Sequence, residues 1–299
     1  MASSMRLEKV FDLEGRVALV TGGGTGIGLM IARGLATNGA KVYITGRRKE
    51  VLEKAAASFA QESQRIGAII PLVMDVTDRA SISAGQEHVK AQEGRMHILV
   101  NNAGQTGPVS RFLEHPESPE RKDPETLGRA LFNNESFEAW SDLYSINTFS
   151  IFFVTTAFLG LLAKGSEELP GYNASVVNIT SISGVNKLAQ NHFCYNSSKA
   201  AASHLTKMMA TEFALKGVPV RVNAVAPGVY ASEMTYDTIG PDKVNVVGKG
   251  LIPVPANRSG TPEEVAGTVI YLASSAGGYT NGQEIIVDGG YTAVNPSTV

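Results

Sequence analysis

Tyr195 and Lys199 stand four apart in Tyr195-Asn196-Ser197-Ser198-Lys199, a spacing that puts both on one face of a helix. A phenol near its ordinary pKa of about 10 is a poor proton-transfer group at neutral pH. An ammonium about 4 Å away favours the phenolate by up to ~4 kcal/mol at an effective dielectric near 20. That is as much as ~3 pH units. A phenol tuned in this way is able to protonate an alkoxide as it forms from a ketone. The spacing alone does not require this, because an ordinary exposed pair on many helices has it too.

A second group of residues suits an anion. Thr21-Gly22-Gly23-Gly24-Thr25-Gly26-Ile27-Gly28 lies between an apolar run and a helical pattern. Glycines there allow positive φ and close backbone approach. The helix that follows offers free N–H groups and its positive dipole end to a pyrophosphate. Gly22, Gly26 and Gly28 are spaced G-x-x-x-G-x-G, which departs from the strict dinucleotide fingerprint. A tight turn without a ligand is the plain alternative, but a strand before and a helix after favour binding. At the end of the next strand the dinucleotide fold usually carries an acid for the ribose hydroxyls. Here the chain reads Thr45-Gly46-Arg47-Arg48. Arginines suit an anionic 2′-phosphate, so the expected cofactor is NADP(H). A solvated Arg-Arg-Lys surface run is the alternative for those residues.

These groups need a rigid frame. Apolar runs at 17–20, 42–44, 69–74, 98–100, 176–179, 220–225 and 284–287 read as buried strands. Helical patterns run over 27–38, 49–64 and 195–215, and Thr261-Pro262-Glu263-Glu264 opens another helix with a cap, a proline and a capping-box acid. Apolar strands alternating with helices predict an α/β fold: a Rossmann-type doubly wound parallel sheet of about seven strands, in three α/β/α layers. The whole of 1–299 is expected to be one such domain. A surface insertion at about 105–136, within an irregular stretch from Gly104 to Ser136, holds a charged, proline-rich string. It reads equally as a solvated loop or as a lid over the substrate. A substrate-side segment is expected at about 229–259. Substrate is expected to be read by 104–136, 185–193 and 230–257, and Met234, Tyr236, Ile239, Leu251 and Ile252 are candidates for an apolar pocket.

Composition removes other classes. The 299 residues include 26 Lys and Arg against 28 Asp and Glu, a formal charge of −2, with 43% hydrophobic residues. Disorder is excluded by the apolar fraction. Near-neutral charge argues against nucleic acid or an anionic membrane surface as partner. One cysteine makes no internal disulfide, which suits a reducing compartment, and with no secretory signal the expectation is cytoplasmic. The most membrane-like run, 149–163, is shorter than the ~18 apolar residues of a spanning helix and reads as a buried helix. Cys194 is either a reactive thiol or a packed neighbour of Tyr195, and the second is favoured. No metal site is expected, since the five histidines lack ligand spacing. His192, three before Tyr195, is read either as facing the substrate or as surface or structural, and the second is favoured. Phe149, Phe152, Phe153 and Phe158 are read as core or subunit-interface residues.

Taken in order along the chain, these motifs resemble the short-chain dehydrogenase/reductase family, over roughly residues 13–291. The turn with Gly22, Gly24, Thr25, Gly26, Ile27 and Gly28 is similar to that family's T-G-x-x-x-G-x-G. Asp75-Val76 resembles its adenine-holding pair, and Asn101-Asn102-Ala103-Gly104 its N-N-A-G. Asn147, Ser181, Tyr195 and Lys199 match its catalytic residues. Pro227-Gly228, with Val229, resembles the turn beside the nicotinamide, and Ser232 stands where a threonine often meets the cofactor amide. The resemblance implies an NADPH-dependent ketoreductase, similar to fungal NADP-dependent members and to rhamnolipid-type β-ketoacyl reductases. Arg47 and Arg48 would hold the 2′-phosphate. Tyr195 would move the proton, Lys199 would lower its pKa and bind the ribose, Ser181 would hold the carbonyl oxygen, and Asn147 would extend the proton path. It also implies a small-molecule carbonyl or alcohol substrate and a homo-oligomer, dimer or homotetramer. Ser181 lies one position farther from Tyr195 than is common in the family, which makes Ser183 the reserve. Thr25 stands where many NADP-preferring members have a basic residue, and the spacing from Asn101 to Asn147 is longer than usual. An NAD-linked alcohol or steroid dehydrogenase, and a non-catalytic cofactor sensor, are the competing functions.

Overall fold

Successive residues of a strand face opposite sides of its sheet, so a strand of five apolar residues is explained only if both sides are covered. The computed structural model, which describes residues 5–61, 67–169, 171–232, 235 and 239–299, has this arrangement. In chain order the first half contains a one-turn helix α1 (Leu7–Val10), β1 (Val17–Thr21), α2 (Gly26–Thr37), β2 (Lys41–Gly46), α3 (Lys49–Ala60), β3 (Ala68–Val73), α4 (Arg79–Glu93) and β4 (Ile98–Asn101). After the insertion come α5 (Pro124–Asn134), α6 (Phe137–Tyr144), α7 (Ser150–Glu167), β5 (Ala174–Ile179), α8 (Phe193–Leu215), β6 (Val220–Pro227), α9 (Pro241–Gly248), α10 (Pro262–Ala273), β7 (Glu284–Val287) and α11 (Tyr291–Val294). The seven strands are all parallel, in the order β3-β2-β1-β4-β5-β6-β7. The order reverses between β1 and β4, and the C-terminal ends there form the crevice where such sheets bind ligands.

The alternation is visible in β1. Ala18 and Val20 pack with Ile31 and Leu35 of α2 and Val265 and Val269 of α10. Val17 and Leu19 pack on the other face with Val154 and Phe158 of α7 and Met209 of α8. A small third cluster, with Ile182, Ile239, Val244, Val254 and Tyr291, lies among segments that follow the strands. Thr261 and Glu264 form the expected capping box of α10, the Thr261 N–H donating to Glu264 Oε2 at 2.8 Å.

Three sequence expectations change. Helix α3 stops at Ala60 rather than 64, and residues 62–66 lie outside the described ones. The insertion is not wholly irregular: it holds two 3-10 turns, Arg111–Glu114 and Pro119–Arg121, and then α5. The start signal of α5 was inside the charged string, where Asp123 accepts the Thr126 N–H at 2.8 Å and Pro124 takes the first helical position. The apolar run at 149–163 belongs to a longer helical stretch, 137–167, that passes through a π-helical turn at Ser145–Phe149. By length and composition that stretch is sufficient to cross a membrane; half of its apolar window is buried inside the protein. Ile151, Val154, Phe158, Leu161 and Leu162 face the core, whereas Phe149, Phe152 and Phe153 are 48%, 46% and 41% exposed.

Candidate active site

Thr21, the last residue of β1, fastens the two turns that border the crevice. Its Oγ1 accepts the N–H groups of Asn102 at 2.9 Å and Ala103 at 3.0 Å. Asn102 reciprocates: its Nδ2 donates to Thr21 O at 3.0 Å and Gly22 O at 3.1 Å. The turn is left-handed at Gly22, φ 63°, and again at Gly26, φ 53°. A Cβ on Gly28 would stand 2.3 Å from Gly22 O and 2.4 Å from Asn102 Nδ2, so only glycine fits beneath the turn.

A hollow of about 430 Å³ opens in front of these turns, lined by Gly22, Gly24, Thr25, Arg47, Arg48, Asp75, Val76, Ala103 and Gly104. Thr45 also lines it, and its buried hydroxyl has no partner among the described residues. Burial pushes the Asp75 carboxyl up, but the N–H and hydroxyl of Thr77 and the nearby Arg47 charge outweigh it and hold the group below the usual carboxylate range. A second hollow of about 180 Å³ is lined by Thr25, Gly26, Ile27, Asn102, Gly104, Ser181, Tyr195, Lys199, Pro227, Gly228 and Ser232. Residues from both ends of the sequence motif set thus meet along one crevice, with Gly28 supporting it from below. This fits a dinucleotide: glycines where backbone must come close, arginines at one end, and a proton-transfer pair at the other. A larger hollow, about 870 Å³, lies on the outer side of α2 between α3 and α10, away from Tyr195.

The long helix α8 carries Tyr195 and Lys199 one turn apart. Lys199 is buried, and its Nζ donates to Ile179 O at 2.9 Å and lies 5.8 Å from the Tyr195 ring centroid. Burial holds the ammonium down to about 8. Burial also pushes the Tyr195 phenol above its usual range, while its hydrogen bond with Ser181 acts in the opposite direction. The net shift of the phenol is therefore upward, where a lowering was expected. The ammonium is turned to the Ile179 carbonyl, and burial is the largest influence on each group. A phenol that keeps its proton at neutral pH is in the state needed by a proton donor.

Ser181 caps the 3-10 turn Ile182–Gly184, where its Oγ accepts the Ser183 N–H at 3.1 Å. Of the two candidate serines, Ser181 lines the second hollow with Tyr195, and Ser183 does not. Asn147 sits within the π-helical turn, a local widening frequent at functional sites. It is buried; its Nδ2 donates to Gln105 O at 3.0 Å and Ser198 Oγ at 3.1 Å, and its Oδ1 accepts the Gln105 N–H at 3.0 Å. It thereby ties the start of the insertion to α8, close to Lys199: a Cβ on Gly104 would lie 3.0 Å from Asn147 Oδ1 and 3.7 Å from Lys199 Nζ. Below the site, Asn101 Nδ2 donates to Thr155 Oγ1 and Asn178 Oδ1, and Asn178 Nδ2 to Thr206 Oγ1, each at 2.9 Å. That buried chain joins β4, α7, β5 and α8.

A third hollow, about 480 Å³, shares Ser181, Tyr195 and Gly228 with the second and continues to Val229, Val246, Val247, Arg111, Glu114, Gln190, His192 and Lys249. All three segments expected to read the substrate contribute. The individual candidates fare differently. Leu251 and Ile252 are 68% and 50% exposed, because Asn295 holds their backbone N–H groups in a turn at the surface. Ile239 is buried in the third cluster, and Met234 and Tyr236 lie outside the described residues. Sequence reasoning missed Arg111, Glu114 and Lys249, which carry no local motif. His192, read as surface or structural, lines the hollow, and burial followed by the Lys249 charge lowers its pKa. Cys194 is fully buried and lines none of these hollows; burial and then the Glu135 carboxylate push its thiol up to about 11, so it is a packed residue.

Known proteins resemble this chain in sequence and fold. A family model described as short chain dehydrogenase matches residues 16–240. The chain is 36% identical over 319 residues to the short-chain dehydrogenase/reductase VdtF of Byssochlamys spectabilis, covering 99% of this chain and 98% of that protein. It is 33% identical over 282 residues to the rhamnolipids biosynthesis 3-oxoacyl-(acyl-carrier-protein) reductase of Pseudomonas aeruginosa, covering 94% of this chain and 98% of that protein. Among solved structures, the Pseudomonas aeruginosa RhlG/NADP active-site complex superposes with a TM-score of 0.77 at 30% identity, covering 94% of this chain and 98% of that one.

Proposed function

The chain belongs to the short-chain dehydrogenase family, and on that premise we propose that it reduces a small or medium organic ketone, of 3-oxoacyl or related type, to the alcohol with NADPH. The observation that carries this reading is the meeting of Ser181, Tyr195 and Lys199 in the second hollow, with Ser181 and Tyr195 also lining the third. The crevice lined by Gly22, Arg47, Asp75 and Gly104 would hold the dinucleotide, which when bound would supply the hydride for the carbonyl carbon. Ser181 Oγ–H donates a hydrogen bond to the carbonyl oxygen, where negative charge develops. Tyr195 gives that oxygen its proton, which completes the alcohol. Lys199, with its pKa near 8, stands next in line to return a proton to the phenolate, and Asn147 fixes the backbone beside it.

Arg47 and Arg48 support NADPH over NADH, because they stand at the exposed end of β2, where the chain carries arginines in place of the usual acid. The exposed Phe149, Phe152 and Phe153 support a homo-oligomer, and the lone cysteine supports a cytoplasmic setting. The test is a ketone panel followed by NADPH absorbance, with NADPH and NADH titrated in parallel. Arg47→Ala is expected to weaken NADPH binding by roughly tenfold, about the 1.4 kcal/mol of a charge-assisted contact, and leave NADH unchanged. Tyr195→Phe is expected to abolish turnover while NADPH still binds. Tighter binding of NADH than NADPH would refute the cofactor assignment, and full turnover by Tyr195→Phe would refute the proton donor.

A further inference from the structure

We propose that Glu114 is a positioning residue for the substrate, whose carboxylate clasps together the segments forming the outer wall of the third hollow. The proposal rests on the ketone-reducing reading of that site. Glu114 ends the 3-10 turn Arg111–Glu114 of the insertion. Its Oε1 accepts from Lys249 Nζ, at the C-terminal end of α9, and from Asn191 Nδ2 at 2.9 Å, in the turn before α8. Gln190 Nε2 closes the ring from the same turn, donating to Gly248 O and to Tyr291 Oη. Glu114 stays ionised: the Lys249 hydrogen bond foremost holds it below the usual carboxylate range.

The backbone shows that this rim is held in place. Gln190, Asn191 and Lys249 have φ of 52°, 67° and 45°, and they are three of the four non-glycine residues in the left-handed region among those described. Such conformations persist where the surroundings over-determine them, and they cluster at ligand clamps. Each of the three puts its side chain into the clasp. The insertion is rooted separately at Ser110, whose N–H donates to Asn191 O at 2.9 Å and whose Oγ donates to Glu135 at 2.9 Å. Loss of the Glu114 carboxylate therefore frees the rim and leaves the root. A long substrate that reaches the rim meets this wall, and a short one does not.

The experiment uses the full chain with NADPH and two ketones, ethyl acetoacetate and a long-chain 3-oxoacyl ester. Glu114→Ala is expected to raise the KM of the long ketone roughly three- to tenfold, as for a part-exposed ion pair with a second hydrogen bond. The kcat for ethyl acetoacetate and the KM for NADPH are expected to stay within about twofold. Glu114→Gln should fall between, and the reversed pair Glu114→Lys with Lys249→Glu should recover part of the loss. Amide hydrogen exchange should quicken in Glu114→Ala at both 109–114 and 246–251, with or without turnover. An equal loss for the short ketone and NADPH, or no change in KM for either ketone, overturns the proposal. If the unaltered protein reduces neither ketone, the ketone reading fails. The clasp is then judged on exchange, where quickening at both segments supports it and unchanged exchange refutes it.

Discussion

Gly28→Ala offers a measure of how tightly the crevice is built. The added Cβ would stand 2.3 Å from Gly22 O and 2.4 Å from Asn102 Nδ2. Neither is the end of a flexible chain: one is backbone in a left-handed turn, and the other is an amide held by two hydrogen bonds at 3.0 and 3.1 Å. Relief requires Asn102 to leave, at about 1 kcal/mol for each hydrogen bond, and the turn to shift, at about 1–3 kcal/mol for an overpacked core position. The expected cost is about 3–5 kcal/mol, and at roughly 2–4 °C per kcal/mol the Tm should fall by roughly 6–20 °C. Because the turn that moves also lines the crevice, NADPH affinity should fall by roughly a hundredfold or more. Thermal unfolding with and without NADPH reads both effects. Gly160→Ala in α7 is the control, since a Cβ there meets nothing within 4 Å and alanine favours the helix by roughly 0.5–1 kcal/mol. A Gly28→Ala protein with unchanged Tm and NADPH affinity within twofold would refute the steric account of the site.

Two buried bases should leave marks of the same sign on stability against pH, in separate windows. The folded chain releases the Lys199 proton near 8 and the unfolded chain near 10.5, so below pH 8 burial of the ammonium opposes folding by about 3 kcal/mol. That opposition fades between pH 8 and 10.5, and the stability of the native protein should rise there relative to Lys199→Met; a flat difference in denaturant midpoints would contradict it. His97, buried and held down to about 4 mainly by burial and then by the Arg16 charge, is the same case at acid pH. The unfolded chain takes up its proton near 6.5, so about 3 kcal/mol of stability should be lost as pH falls from 6.5 to 4. His97→Gln should flatten that slope in urea titrations, and an unaltered slope would rule His97 out as its source.

The strands were legible because each is an apolar run bounded by turn residues, and β7 is found at 284–287 as read. Parallel crossovers then leave few strand orders, of which the doubly wound one is observed. Helix α4 was not legible: its buried stripe is Ile82, Gly85 and Val89, with a glycine in the middle and polar residues around it. The capping signal of Asp78, which accepts the Ala80 N–H at 2.9 Å, was there to be read. Helix α5 buries none of its residues, so no hydrophobic period marked it.

The site divides along the same physical line. The crevice residues are legible because strand ends fix them: Thr21 ends β1, Asn102 and Gly104 follow β4, Ser181 follows β5, and Pro227 ends β6 with Gly228 after it, so a short motif at each strand end is already a place in space. The third hollow has no such anchor. Glu114 and Lys249 meet across 135 positions, from an insertion turn and a helix end that no strand positions. Their types are ordinary surface charges, and only the fold makes them a pair. Chemistry is therefore written locally, in motifs next to strands, whereas the substrate wall depends on contacts between distant loops. Substitutions at the rim should accordingly alter which substrate is accepted while leaving the Ser181–Tyr195–Lys199 geometry in place.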